Sequence, residues 1–249
     1  MKVAIISPNI LLKRYSAQST FQMCLAHLWG SWAYRTYFRN RKKLGDEIIL
    51  DNGAYELQDS ISVDHLVYVA KQIRPTYLVL PDSIMNCRQT LERTEKFLEE
   101  HVDLSDGTIF VGVPQGVDTK EWQECFVGLQ KLWNFECWGV PKVTQLMYEG
   151  GRKAACEYVA QKDPTAKMHL LGVWSDPIGE VRSVVHLEQV LSVDTALPVT
   201  LGHLASRLED FLPHPKGESS LSRSDPFSEW TMEQVKRYIR FVESRGKIL

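Results

Sequence analysis

The chain has 249 residues, of which 44% are hydrophobic, 10% aromatic and 24% charged. That composition excludes disordered, collagen-like and low-complexity chains. The formal net charge of -2 excludes a uniformly polycationic surface, so any nucleic-acid contact has to come from a local basic patch.

In chain order, short apolar runs alternate with longer amphipathic stretches. The runs cover residues 3–7, 47–50, 76–80, 108–113, 136–140, 168–173 and 190–193. Several are apolar at nearly every position, as in strands buried on both faces of a parallel sheet. The first of them opens the chain too briefly for a secretory leader and lacks a small-residue cleavage site, so it reads as a strand. Helices are predicted over 21–38, 62–73, 88–101, 119–133, 151–161, 179–191 and 231–245. Ser62 reads as a cap with Asp64 in the first turn. Leu91, Thr94, Phe97 and Leu98 share one face of the third helix.

The spacing of the runs, roughly 20 to 35 residues, is that of one β–helix unit. Seven units and an eighth of weaker pattern predict an α/β fold, a single-domain (β/α)8 TIM-type barrel over 1–249. An open doubly wound sheet shares the same periodicity. A long loop near 213–230, rich in Pro, Ser, Gly and charge, breaks the rhythm.

Five cysteines, Cys24, Cys87, Cys125, Cys137 and Cys156, are scattered and never form Cys-x-Cys or Cys-x-x-Cys. This argues against a disulfide framework or a thiolate zinc site and favours a reducing cytoplasm. No apolar stretch is long enough to span a membrane.

Polar residues follow directly after the apolar runs: Asp51-Asn52-Gly53-Ala54-Tyr55-Glu56, Pro81-Asp82-Ser83, Pro114-Gln115-Gly116, Pro141-Lys142, Trp174-Ser175-Asp176 and Asp194-Thr195-Ala196-Leu197-Pro198. In a parallel barrel these ends converge on one face, where barrel enzymes keep their sites. A single Asp after a strand also serves as a helix cap. Asp51, Asp82 and Asp194 placed alike, together with Gln115, form a set. Two carboxylates can divide nucleophile and acid/base roles at a glycosidic bond. An Asp and a Gln also match the donors and acceptors of a purine edge, and Tyr55 offers a stacking face.

These segments resemble the tRNA-guanine transglycosylase family. The segment 51–56 is similar to that family's Asp-Ser-Gly-Gly-Tyr/Phe-Gln, and 110–116 to its Gly-Ile-Val-Gln-Gly-Gly. The segment 194–198 is similar to Asp-Cys-Val-Leu-Pro, and Pro81-Asp82-Ser83 takes the place of Phe-Asp-Glu, all in family order. The resemblance spans roughly residues 45 to 200 and implies a barrel that exchanges guanine in a nucleic acid for a 7-deazaguanine. It implies Asp194 as nucleophile at C1′ and Asp51 as general acid/base. It implies Asp82, Gln115, Gly116, Asn52, Gly53 and Gly139 around the base, with Tyr55 stacked on it. The tRNA enzymes carry a Cys-x-Cys-x-x-Cys and late His zinc site; here no cysteine follows Cys156, so no zinc and no other cofactor is expected. A short zinc-free chain resembles the DpdA-type enzymes of phages and bacteria, which implies DNA before tRNA as partner, a free 7-deazaguanine as second substrate, and the bacterial cytoplasm as location.

Arg35, Arg39, Arg41, Lys42 and Lys43 are the expected phosphate contacts. The same run also reads as a solvated helix end with cations on the C-terminal dipole. Lys13, Arg14, Lys142, Arg207, Lys216 and Arg223 are further cations beside the expected site. The target nucleotide has to leave the stack or be single-stranded. His27, His65, His101 and His186 fall in helix patterns and read as packing or surface residues. Trp29, Trp32, Trp122 and Trp133 read as core. Asp176-Pro177 reads as a turn. Two rivals stay open: an N-glycosidase on the same barrel, and a non-enzymatic nucleic-acid-binding subunit of a modification complex.

Overall fold

The computed structural model describes residues 1–57, 60–173, 176–209 and 228–247. Eight strands form one all-parallel sheet: β1 (Lys2–Ile5), β2 (Phe21–Leu25), β3 (Glu47–Asp51), β4 (Tyr77–Val79), β5 (Ile109–Gly112), β6 (Cys137–Pro141), β7 (Lys167–Leu171) and β8 (Val190–Thr195). Their order is β1-β8-β7-β6-β5-β4-β3-β2, so successive strands neighbour one another around a ring. A doubly wound sheet reverses its order at a switch point, and this one does not. The fold is therefore a (β/α)8 barrel of TIM type. β1 and β2 stand side by side without a ladder, and Ser19 Oγ donates to Val3 O across that seam at 2.5 Å.

Ten α-helices occur among the described residues. These are α1 (Trp32–Lys43), α2 (Ala54–Leu57), α3 (Val63–Ile73), α4 (Cys87–His101), α5 (Thr119–Leu132), α6 (Thr144–Met147), α7 (Gly151–Lys162), α8 (Pro177–Val184), α9 (Leu197–His203) and α10 (Ser228–Glu243). Capping chemistry sets where many of them start. The side chains of Ser31, Ser62, Asn86, Asp118 and Asp176 each accept from a backbone N–H one turn into α1, α3, α4, α5 and α8. One cluster of buried apolar residues draws on every strand. Between α5, α7 and β6 it is aromatic, with the Phe126 and Trp138 ring centroids 4.5 Å apart. No described helix is long and apolar enough to cross a membrane.

The expected helix over 21–38 is wrong in its first third. Phe21–Leu25 is the missing eighth strand, and all five residues are buried. A helix lying on the barrel hides one face only, whereas a barrel strand hides both. The helix proper begins after Gly30, where Ser31 caps Trp32–Lys43. Trp32, expected in the core, is therefore 73% exposed, whereas Trp29 and Trp122 are buried. Two other boundaries shift. The helix expected over 179–191 is Pro177–Val184, because the Asp176 cap and Pro177 start it early and Val190 opens β8. Ser228–Glu243 begins within the expected 213–230 loop, whose earlier part, with Lys216 and Arg223, lies outside the described residues.

Candidate active site at the carboxyl ends of the strands

Three of the expected residues form one hydrogen-bonded cluster after β3, β4 and β5. Asn52 Nδ2 donates to Asp82 Oδ1 and to Leu80 O, both at 2.7 Å. Gln115 Nε2 donates to Asp82 Oδ2 at 2.6 Å, and Gln115 Oε1 accepts from Met85 N at 3.1 Å. Arg93 reaches the Asp82 carbonyl at 2.9 Å. Asn52, Asp82 and Gln115 are at most 4% exposed. Burial pushes the Asp82 carboxyl above the usual carboxylate range, and the two amide donors pull the other way. A raised carboxyl favours the folded state below about pH 3.8, its unperturbed value, and that contribution is lost as pH rises through the raised value. Relative to Asp82→Asn, the native protein should therefore lose stability as pH increases from 3.8 upward. Urea melts of both proteins at several pH values check this; a constant difference would show that Asp82 titrates normally.

Asp51 closes β3. Its Oδ2 accepts from Gly53 N at 2.8 Å in an Asx turn. Gly53 has φ +75°, and a Cβ there would stand 3.0 Å from His27 Nδ1, so the turn requires glycine. His27 lies in the 3₁₀ turn after β2, at this same rim. Its Nδ1 is buried without a hydrogen-bond partner among the described residues, and burial lowers its pKa.

Asp194, in β8, is 4% exposed. Its Oδ1 accepts twice, from His169 Nε2 at 3.0 Å and from Gly172 N at 2.9 Å. Its Oδ2 has no hydrogen-bond partner among the described residues. The His169 Nδ1 in turn meets Ser192 Oγ at 2.8 Å. His169 was not among the expected site residues. Its ring lies inside the barrel, 5.8 Å from the Phe21 ring of β2. Gly172 adopts φ +69°, which turns its N–H toward Asp194. Its carbonyl accepts from Arg152 Nη1 at 2.6 Å. Arg152, on α7 and 2% exposed, also bonds the carbonyls of Val140 and Leu171 and pairs with Glu180 at 3.3 Å. One buried guanidinium thus ties the ends of β6 and β7 to α8.

The two clusters share the rim that Tyr55 and Lys142 cross. Lys142 follows β6, and its Nζ lies 3.8 Å from the ring centroid of Tyr55, which follows β3. Its Cδ is 3.0 Å from where a Gly172 Cβ would sit.

Other expected residues are placed elsewhere. A Cβ on Gly116 would fall 2.4 Å from Trp122 N, and one on Gly139 would fall 2.8 Å from the Val113 and Leu171 side chains, so packing alone accounts for both glycines. The basic run follows α1 down the barrel wall for about 12 Å. Arg35 Nη1 donates to Trp29 O and Gly30 O near the site face. Arg39 reaches Gln72. Arg41 pairs with Asp46 at the start of β3, so Arg41, Lys42 and Lys43 lie at the opposite rim. Lys13, Arg14 and Lys142 follow β1 and β6 and stand at the site face instead. Asp176 caps α8, as expected of a turn. Among the described residues no group of three or more His, Cys, Asp or Glu is arranged to hold a metal.

A cleft of about 330 Å³ opens at the amino-terminal rim, beside Tyr77, Glu136 and Lys167. It faces away from the carboxylates, on the side where barrels keep stability determinants. No family model matches this chain, and no curated protein matches it.

Proposed function

We propose that the chain is a base-exchange transglycosylase that replaces guanine in DNA with a 7-deazaguanine base through a covalent Asp194–nucleotide intermediate. The observation that carries this reading is the Asp194 carboxylate, with one oxygen held by two donors and the other without a partner among the described residues. In the first half, Oδ2 attacks C1′ while the C1′–N9 bond breaks and its electron pair leaves with guanine. Asp51 protonates the departing base. In the second half, N9 of the incoming base attacks C1′, its proton passes to Asp51, and the carboxylate is released.

Asp82, fixed by Asn52 and Gln115, keeps free lone pairs for the N–H groups of a guanine edge. Tyr55, 48% exposed, offers a stacking face. Lys13, Arg14 and Lys142 are the rim cations available to flanking phosphates. The preference for DNA over tRNA rests on the resemblance to the zinc-free DpdA-type enzymes.

The test is mass spectrometry of nucleosides from DNA and from tRNA incubated with the protein and candidate 7-deazaguanines. A 7-deazaguanine nucleoside in DNA, formed with release of guanine, is the expected result. Guanine release without an added base would make the protein a hydrolase, and modification of tRNA alone would move the substrate. The absence of both guanine release and incorporation would overturn the proposal.

A further inference from the structure

We infer that His169 is a positioning residue that makes Asp194 a good leaving group in the second half of the exchange; this rests on the base-exchange reading above. An ionised carboxylate only accepts, so the 3.0 Å contact puts a proton on His169 Nε2. Nδ1 then accepts from the Ser192 hydroxyl at 2.8 Å, which fixes the tilt of the ring. When Oδ2 is bonded to C1′, Oδ1 is the carbonyl oxygen of an ester. As the incoming N9 attacks, the C1′–Oδ2 pair returns to the carboxylate, and the charge spreads onto Oδ1. The His169 and Gly172 N–H groups already point at that atom. Fixed donors aimed at developing charge stabilise the transition state with no rearrangement. In the first half the same donors face charge that is being lost, so their help is confined to the second.

The test uses the full chain with guanine-labelled DNA and a denaturing gel that resolves the covalent protein–DNA adduct. His169→Leu should lower exchange on the order of 10²-fold, the usual effect of losing one such donor. It should also accumulate adduct, because release of Asp194 slows more than its attack. His169→Gln, whose amide nitrogen can reach the same oxygen, should restore exchange and return the adduct to its native level. Ser192→Ala should move both readouts the same way by a smaller factor, and it serves where the leucine variant does not fold. A purely structural role would lower the folded yield while leaving adduct per folded molecule unchanged, and that result would overturn the inference. Nitrogen-15 spectra of the ring provide an arm independent of activity: a proton on Nε2 is expected, and a bare Nε2 would overturn the inference. Native protein that gives neither exchange nor adduct would overturn the base-exchange reading itself, whatever the ring spectrum shows.

Discussion

An Asp194→Asn variant is expected to lose at least about 10³-fold in base exchange and to form no covalent adduct, while folding and binding DNA as the native protein does. The amide is neutral and a poor nucleophile, so the ester to C1′ cannot form. Its oxygen can still accept from Gly172 N–H and His169 Nε2–H, the two donors that hold Oδ1 in the native protein. The fold should therefore be nearly unaffected. Alanine is a less clean choice. It would strand both donors in a buried site, at about 1–3 kcal/mol for each group left unsatisfied. Exchange assays, adduct gels and a binding isotherm on the asparagine variant check the expectation together. Retained turnover would remove Asp194 from the chemistry.

The largest expected effect on stability lies at Arg152. Arg152→Met removes a guanidinium that bonds the carbonyls of Val140, Leu171 and Gly172 and pairs with Glu180, whose side chain is only 10% exposed. The methionine fills much of the volume and satisfies none of these groups. Breaking a buried pair from one side typically costs about 3–5 kcal/mol. For a chain of this size each kcal/mol shifts Tm by about 2–4 °C, so a fall of about 10 °C is expected in thermal melts. Adding Glu180→Gln should recover part of the loss, since it removes the buried charge that Arg152 had paired. A shift under about 2 °C would show that the network contributes little.

The barrel was legible because its strands are apolar on both faces while its helices are apolar on one. β2 was missed because Phe21–Leu25 leads toward Trp29 with only Gln22 and His27 among apolar residues, and periodicity alone does not separate a short apolar strand from a buried helical turn. Asp51, Asp82, Gln115 and Asp194 were legible because each stands where a strand ends. His169 and Ser192 were not. Each interrupts an apolar run, and only the β7–β8 register places them opposite one another. That register includes an irregularity between Met168 and His169, which no local pattern encodes. Arg152 escaped for a different reason. An arginine in an amphipathic helix reads as solvated, yet this one turns inward to carbonyls supplied by two strands. Arg41 also turns inward, to Ser19 O and the Asp46 carboxylate, and that pairing takes it out of the expected phosphate-binding run.

Asp82, Gln115 and Asp194 are almost completely covered, inside a wall of eight strands. At seven of the eight strand junctions, parting the neighbours would break a backbone ladder. The junction of β1 with β2 has none, and it lies directly beside β8, which carries Asp194. Widening there costs side-chain contacts such as the Ser19–Val3 bond and leaves every backbone ladder whole. The barrel is thus built like a split ring, with its one unladdered junction a single strand away from Asp194.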